Sequence, residues 1–360
     1  MSGDAFVSIN LVWRTDVHLS DRAPSSRTDD WAETVFDKLG QVRDLAREVN
    51  AAAIIDGGDF FHIKSPGRNS HALVNRTAEH HSTYPCPVYC TPGNHDAVYG
   101  DYSFLPQQPL GVLFSTGVFN RLYDEYEVYF GPEHMTSTKA KVFPFDRSRG
   151  FIEGNPWATT TENRPLPIVR VVGIPYHGTS YDMERFTSIQ KGSEDILICV
   201  AHVLASHKGG TMFEGEDIIK YADLVDTAPD VYLFGHWHKN QGVEEIGGKQ
   251  FVNIGSLSRG SLSQDNMDRI PAAAVLRCTS DGVEVEVVPL NVRPAEDVFD
   301  VEGRKRQVKR QLEMDSFVES IRSALQPQDG GVSLFDIVKD AEDVPNEVKE
   351  KAILYLERVE

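Results

Sequence analysis

Along the chain, short unbroken apolar runs alternate with segments in which apolar residues recur every three or four positions. The first run, Phe6 to Trp13, reads as a buried strand. A helix follows in which Trp31, Val35, Leu39, Val42, Ala46 and Val49 share one face behind a cap at Asp29 or Asp30, and Ala51 to Ile55 is the next strand. This strand-helix-strand order is a βαβ unit, which predicts a parallel or mixed sheet with its chemistry at the carboxyl ends of the strands. Further apolar runs at Val88 to Cys90, Val169 to Tyr176, Ile196 to Ala201, Val231 to Phe234 and Phe251 to Ile254 predict more strands. Ala272 to Arg277 and Val283 to Val288 read as a hairpin across Ser280-Asp281-Gly282.

Two regions follow weaker patterns. Between Ser65 and Thr83 a polar segment with Leu73, Val74 and Ala78 predicts a surface helix that exposes His71, His80 and His81. Residues 97–194 begin rich in aromatics and are then punctuated by prolines, which predicts short strands and loops. Within them Lys139, Lys141, Arg147 and Arg149 surround Phe143 and Phe145, either a surface that contacts a nucleic-acid backbone or a solvated hairpin.

After Pro294 the composition changes to a basic run, Arg304, Lys305, Arg306, Lys309 and Arg310, and then to a strongly acidic segment. In that segment Phe317, Val318, Ile321, Ala324 and Leu325, and later Val344, Val348, Ala352, Leu356 and Val359, are spaced as helices. The organisation expected is a main domain over residues 1–294 and a C-terminal cap with partner-docking helices over 295–360. Those helices either pack on the main domain or offer a surface to a partner's helices.

Composition narrows the classes. A chain of 360 residues, 40% hydrophobic and 25% charged, can bury a full core and carry an appendage. It has no apolar run of ~18 residues and no signal-like N-terminus, so no membrane partner and a cytoplasmic location are expected. Cys86, Cys90, Cys199 and Cys278 lack zinc-type pairing and read as buried reduced thiols. The net charge of -18 excludes a protein that coats nucleic acid through bulk positive charge. A DNA substrate would need a local basic face or a partner that holds it.

The candidate chemistry sits just beyond the strands. Asp16 and His18 follow the first strand, and Asp56-Gly57-Gly58-Asp59-Phe60-Phe61-His62 ends the second. Thr91-Pro92-Gly93-Asn94-His95-Asp96-Ala97 ends the third, with an amide oxygen at Asn94, a titratable imidazole at His95 and a carboxylate at Asp96 that could orient it. His202 ends another strand, and Gly235-His236-Trp237-His238 places two imidazoles on one side of an extended segment. Singly, each cluster is also what a turn or a solvated loop contains; five with one topology are not. Carboxylate, amide and imidazole ligands without cysteine suit manganese, iron or zinc rather than calcium or a structural zinc. A carboxylate such as Asp59 that can bridge suggests two metals about 3.5–4 Å apart. Separately, the turn Gly255 to Ser261 offers backbone amides and Arg259 to an anion.

In this order the motifs resemble the calcineurin-like metallophosphoesterases, over about residues 6–262. The resemblance implies an α/β fold, two sheets packed face to face as a sandwich flanked by helices, with a small C-terminal cap or helical region. It also implies one metal on Asp16, His18 and His238, another on Asn94, His202 and His236, and Asp59 bridging them. Within that family the stretch Gly57 to His62, together with Lys64 to Pro66, Ile174-Pro175-Tyr176 and Gly255-Ser256, looks like the nuclease subunit of SbcCD-type DNA double-strand-break repair complexes. That likeness implies a manganese-dependent DNA exonuclease or endonuclease, a homodimer within a heterotetramer with an SMC-like ATPase. It would be nucleoid-associated, or in the host cytoplasm if phage-encoded. By the same likeness His62 would contact the substrate phosphate or nucleotide, and His95, oriented by Asp96, would stabilise the transition state or protonate the leaving 3'-oxygen. The chain after Pro294 is short for a cap plus a separate docking region, so one compact region would serve both. The competing expectation is a stand-alone phosphodiesterase or phosphatase for a small phosphate ester, which has little use for His62 or the helical tail.

Overall fold

In the computed structural model, which describes residues 8–97, 101–131, 166–209, 215–324, 334–341 and 344–356, the apolar runs pair into two six-stranded sheets. In chain order the strands are β1 (Ile9–Arg14), β2 (Ala53–Asp56), β3 (Val88–Cys90), β4 (Asn120–Arg121), β5 (Val128–Phe130) and β6 (Val169–Ile174). They continue as β7 (Ile196–His202), β8 (Val231–Gly235), β9 (Gly242–Ile246), β10 (Lys249–Asn253), β11 (Ala272–Thr279) and β12 (Gly282–Pro289). The first sheet is ordered β12-β11-β1-β2-β3-β4 and the second β9-β10-β8-β7-β6-β5, each with a parallel centre and antiparallel pairs at an edge. This is the expected α/β architecture of two mixed sheets flanked by helices. The basic cluster Lys139 to Arg149 lies outside the described residues.

Alternation along the strands assigns the layers. Leu11 and Trp13 of β1 and Ile55 of β2 point between the sheets, where they meet Val171, Ile198, Val200 and Leu233 of the second sheet. Val12 and Ile54 point the other way, onto Val35, Leu39 and Val42 of helix α1 (Trp31–Glu48). The second sheet likewise turns Leu197, Cys199, Tyr232 and Phe234 outward onto Phe186, Tyr221 and Leu224. Strands covered on both faces must be apolar at every position, so they appear as unbroken runs rather than alternating ones. Helix α1 starts where Asp30 accepts from the Glu33 N–H, at one of the two expected caps. All four cysteines are buried free thiols.

Register brings the strand ends level. Arg14 pairs across with Asp56, and Asp56 with Cys90, while His202 pairs with Gly235 in the second sheet. At that level the first sheet buries an ion pair, Arg14 Nε to Asp56 Oδ2 at 2.7 Å, both side chains fully buried. The guanidinium also lies 3.1 Å from the Tyr84 hydroxyl and 3.1 Å from His81 Nε2. His81, expected on the surface at the end of helix α2 (His71–His81), is therefore inside: burial and the Arg14 charge lower its pKa far enough to keep it neutral. Its Nδ1 donates to the Thr77 carbonyl, leaving Nε2 to accept from Arg14. A strand-end arginine that needs acceptors draws the helix end inward. Arg14→Met should cost about 3–5 kcal/mol, because it strands the Asp56 carboxylate in the core. An unmoved urea midpoint would show that the pair does not anchor this edge.

The chain divides into two compact units, Met1–Phe299 and Asp300–Glu360. The second contains the helices Val301–Ala324, Leu334–Asp340 and Asn346–Leu356, with Phe317 and Val338 buried and Leu312 and Met314 exposed. Among the described residues no helix is long and apolar enough to cross a membrane.

Candidate metal centre

The loops leaving the level strand ends are bent in a way side chains resist. Asp16, His18, Asp59 and His236 have φ of 52°, 50°, 51° and 81°, the left-handed region that residues other than glycine rarely occupy. Backbone bonds hold the bend: Asp16 N–H donates to Gly58 O and His18 N–H to Asp59 O, both at 3.0 Å. Two glycines permit the closeness of the rest. A β-carbon on Gly93 would lie 2.2 Å from Asp59 Oδ1, and one on Gly235 would lie 2.5 Å from Thr15 Oγ1.

Two overlapping groups of possible ligands result. Asp16, His18, Asp59 and His238 converge in one, and Asp59, His202 and His236 in the other. In the first, His238 Nε2 lies 3.3 Å from Asp16 Oδ1, and His18 Nε2 lies 3.7 Å from Asp59 Oδ2. In the second, His202 Nε2 lies 3.5 Å from Asp59 Oδ1. Asp59 thus presents one oxygen to each group, the disposition of a carboxylate shared by two cations. His202 Nδ1 donates to the Gly57 carbonyl at 2.6 Å, which turns Nε2 toward the site.

Asn94 tests whether a cation fits. Its side-chain oxygen faces two acceptors, Asp59 Oδ2 at 2.9 Å and His236 Nδ1 at 3.0 Å, and lies 3.2 Å from His202 Nε2. Its amide nitrogen faces the Lys64 ammonium at 3.2 Å. Hydrogen bonding alone would favour the reverse orientation, whereas a divalent cation among the acceptors satisfies this one. The electrostatics agree. Burial would raise the Asp59 carboxyl, but His202 and His95 hold it well below the usual range, and His238 does the same for buried Asp16. His202, which burial alone would lower, is instead pushed up to about 9 by Asp59 and Asp16. Carboxylates this close stay ionised only beside positive charge.

His62 and His95 lie beside these groups. With His18 they form a third cluster, and their own rings stack at 5.3 Å. The expected contact between His95 and Asp96 is replaced by another: His95 Nδ1 lies 2.6 Å from the carbonyl oxygen of His62, and its backbone N–H donates to Asp59 Oδ1 at 2.6 Å. Asp96 points inward, accepting from the N–H groups of Asp59 and Gly93 at 2.8 and 2.9 Å, and burial with the Asp59 charge raises its pKa to about 8. It braces the two loops against each other.

One partner has no signal in the sequence. Glu216 Oε1 lies 2.8 Å from His236 Nε2 and accepts from the Tyr181 hydroxyl at 2.7 Å, so His236 is left with Nδ1 toward Asn94. Glu216 sits in a loop far from every histidine motif, where no spacing points to it.

The chain belongs to the calcineurin-like phosphoesterase family, whose model matches residues 12–240. It is a metal-dependent phosphoesterase whose His and Asp clusters are consistent with two divalent cations. Among solved structures, the protein TT1561 of Thermus thermophilus is similar at 14% identity and a TM-score of 0.41, over 78% of this chain and 99% of its own. A dimetal phosphatase from Danio rerio is similar at 11% identity and a TM-score of 0.42, over 79% of this chain and 100% of its own. No curated protein matches the chain.

Proposed function

We propose that the chain is a two-metal phosphodiesterase that acts on DNA, as the manganese-dependent nuclease subunit of an SbcCD-type complex in end processing and repair. In this reading it is a cytoplasmic homodimer bound to an SMC-like ATPase, with the C-terminal helices as the docking surface. The observation that supports it is the row of imidazoles His18, His62 and His95 beside the candidate ligands. It supplies two imidazoles beyond those needed to hold cations. A diester of two alkoxides needs its leaving oxygen protonated, and a polymer needs its flanking phosphate or nucleotide held.

Asp16, His18 and His238 would hold one cation and Asn94, His202 and His236 the other, with Asp59 between. When bound, the pair would neutralise phosphoryl charge and make the attacking water more acidic. Glu216 keeps the His236 ring in its orientation. His95, its Nδ1 fixed on the His62 carbonyl, turns Nε2 to the side of Asp59, where it would meet the leaving 3'-oxygen. Burial lowers the His95 pKa, which makes its protonated form a stronger acid. His62 faces the phosphate or nucleotide, and Lys64 adds a cationic rim next to Asn94.

The net charge of -18 favours a second reading, a small phosphate ester as substrate, since an acidic surface repels a polyanion. The deciding experiment is manganese-dependent cleavage of end-labelled single- and double-stranded DNA, alone and with the ATPase, beside a bis-aryl phosphodiester. Under the DNA reading, wild type gives a ladder that His62→Ser and His95→Ser lose. Intact DNA in every arm, with the bis-aryl ester hydrolysed, would transfer the assignment to the small ester.

A further inference from the structure

Away from the metal centre, a cavity of about 220 Å³ opens between α1, the turn bearing Arg259 and the segment from Asn291 to Val298. Its wall is cationic: Arg27, Lys38, Arg259 and Arg293, with Glu33 and Asp37 as the acidic members. Of the acids, Glu33 is committed elsewhere and Asp37 is exposed. Glu33 is held by both nitrogens of Arg76 at 2.6 and 2.7 Å, and Asp37 accepts from Gln41 at 2.8 Å. Asp29 is spent on Arg27, with bonds of 2.8 and 2.6 Å. That guanidinium is clamped between the rings of Trp31 and Phe299 at 5.0 and 4.8 Å.

Two of the remaining cations are buried and under-paired. Lys38 is 2% exposed, and its one hydrogen bond among the described residues is a 3.3 Å contact to the Thr34 carbonyl. Arg259 is 5% exposed; its Nη2 donates to the Arg293 carbonyl, but its Nε has no partner among the described residues. Burying an unpaired cation is costly, and natural proteins pair such groups. Burial, with Arg27 and Arg259 alongside, pushes the Lys38 amine down to about 7, and Asp29 and Asp37 offset this only in part. Glu296 is the remaining charged group acting on Arg259. An anion with several acceptor oxygens would meet these needs together.

We propose that this cavity is a binding site for a phosphate group, separate from the metal centre, with Lys38 and Arg259 as its buried donors and Arg293 at its rim. The group arrives either as free inorganic phosphate or as the terminus of a nucleotide. Trp31, which stacks on Arg27, donates its indole N–H to the His18 carbonyl at 3.1 Å, so the site adjoins the loop that carries a candidate metal ligand. The proposal does not depend on which ester the metal centre cleaves.

The test is the melting temperature of the metal-loaded full chain with inorganic phosphate in one arm and deoxyadenosine 5'-monophosphate in the other. Wild type, Lys38→Met and Arg293→Gln are compared. Phosphate held at the metal centre contributes equally to all three, so their differences report on the cavity. Near tenfold saturation, wild type should gain about 2–4 °C more than Lys38→Met. Lys38→Met removes a buried, under-paired charge and keeps the side-chain volume, so it should fold without the anion; Arg293 is exposed, so Arg293→Gln is readable in any case. A differential response in the nucleotide arm alone assigns the site to phosphate termini, and one in both arms assigns it to the free anion as well. Equal gains in wild type and both variants, or no gain in either arm, would overturn the proposal.

Discussion

Asp59→Ala is expected to lose cations from both positions of the metal centre and to abolish phosphodiester hydrolysis. The reason is geometric: one carboxylate oxygen lies 3.7 Å from His18 Nε2 and the other 3.5 Å from His202 Nε2, so no other side chain can replace it for both groups. The loss of affinity should exceed the about 10–100-fold that removing a residue behind a ligand costs, and it should appear at both positions. Asp59 Oδ1 also accepts the His95 backbone N–H, so the variant should loosen the loop bearing Asn94. Asp59→Asn, which can still accept that bond, separates the two effects. Metal content by mass spectrometry after gel filtration is the measurement. Two cations retained in Asp59→Ala would refute the shared ligand, and loss of one would confine Asp59 to a single ion.

For His95→Asn the expected result is an enzyme that keeps its metals and binds substrate but turns over about 10²–10⁴ times more slowly, the range for loss of a positioned proton donor. The imidazole lies outside the two converging ligand groups that share Asp59, and its Nε2 is 4.0 Å from Asp59 Oδ2. The defect should depend on the leaving group. A bis-nitrophenyl ester departs without a proton and should lose little, whereas an alkyl diester should lose the full factor. If both esters slow equally, His95 binds the phosphate rather than donating a proton. Asp96→Asn should behave differently, impairing folding as much as turnover, because Asp96 accepts the Asp59 and Gly93 N–H groups and does not touch the imidazole.

How much of this could be read in advance follows from the range of each interaction. Strands buried on both faces leave apolar runs, and polar residues just beyond them mark the loops. Thus Asp16, His18, Asp59, Asn94, His202, His236 and His238 stand out in the sequence alone, and the structure gathers all seven in one place. Side-chain direction was less accessible. His95 and Asp96 are adjacent, yet the turn sends Asp96 inward to the Gly93 N–H, and a carbonyl takes the place assigned to it. A main-chain acceptor carries no residue signature. Glu216 and the Arg14-His81 contact join elements distant in sequence, and α2 read as a surface helix because its polar residues outnumber its apolar ones. The cavity at Lys38 shows the same limit, since a lysine at a buried helical position looks from sequence like a solvated one.

The two ligand groups also span the interface between the sheets. Asp16 and His18 leave the first sheet after β1, His202 ends β7 of the second, and His236 and His238 follow β8. Cations there would act as fasteners as well as reagents, riveting two layers that otherwise meet through apolar side chains and a few hydrogen bonds such as that of His202 to the Gly57 carbonyl. Chelation should therefore weaken the molecule mechanically before any substrate is present. In a pulling experiment the sheets should part at lower force without the ions, at the seam where a β-carbon on Gly235 would lie 2.9 Å from the Gly57 carbonyl.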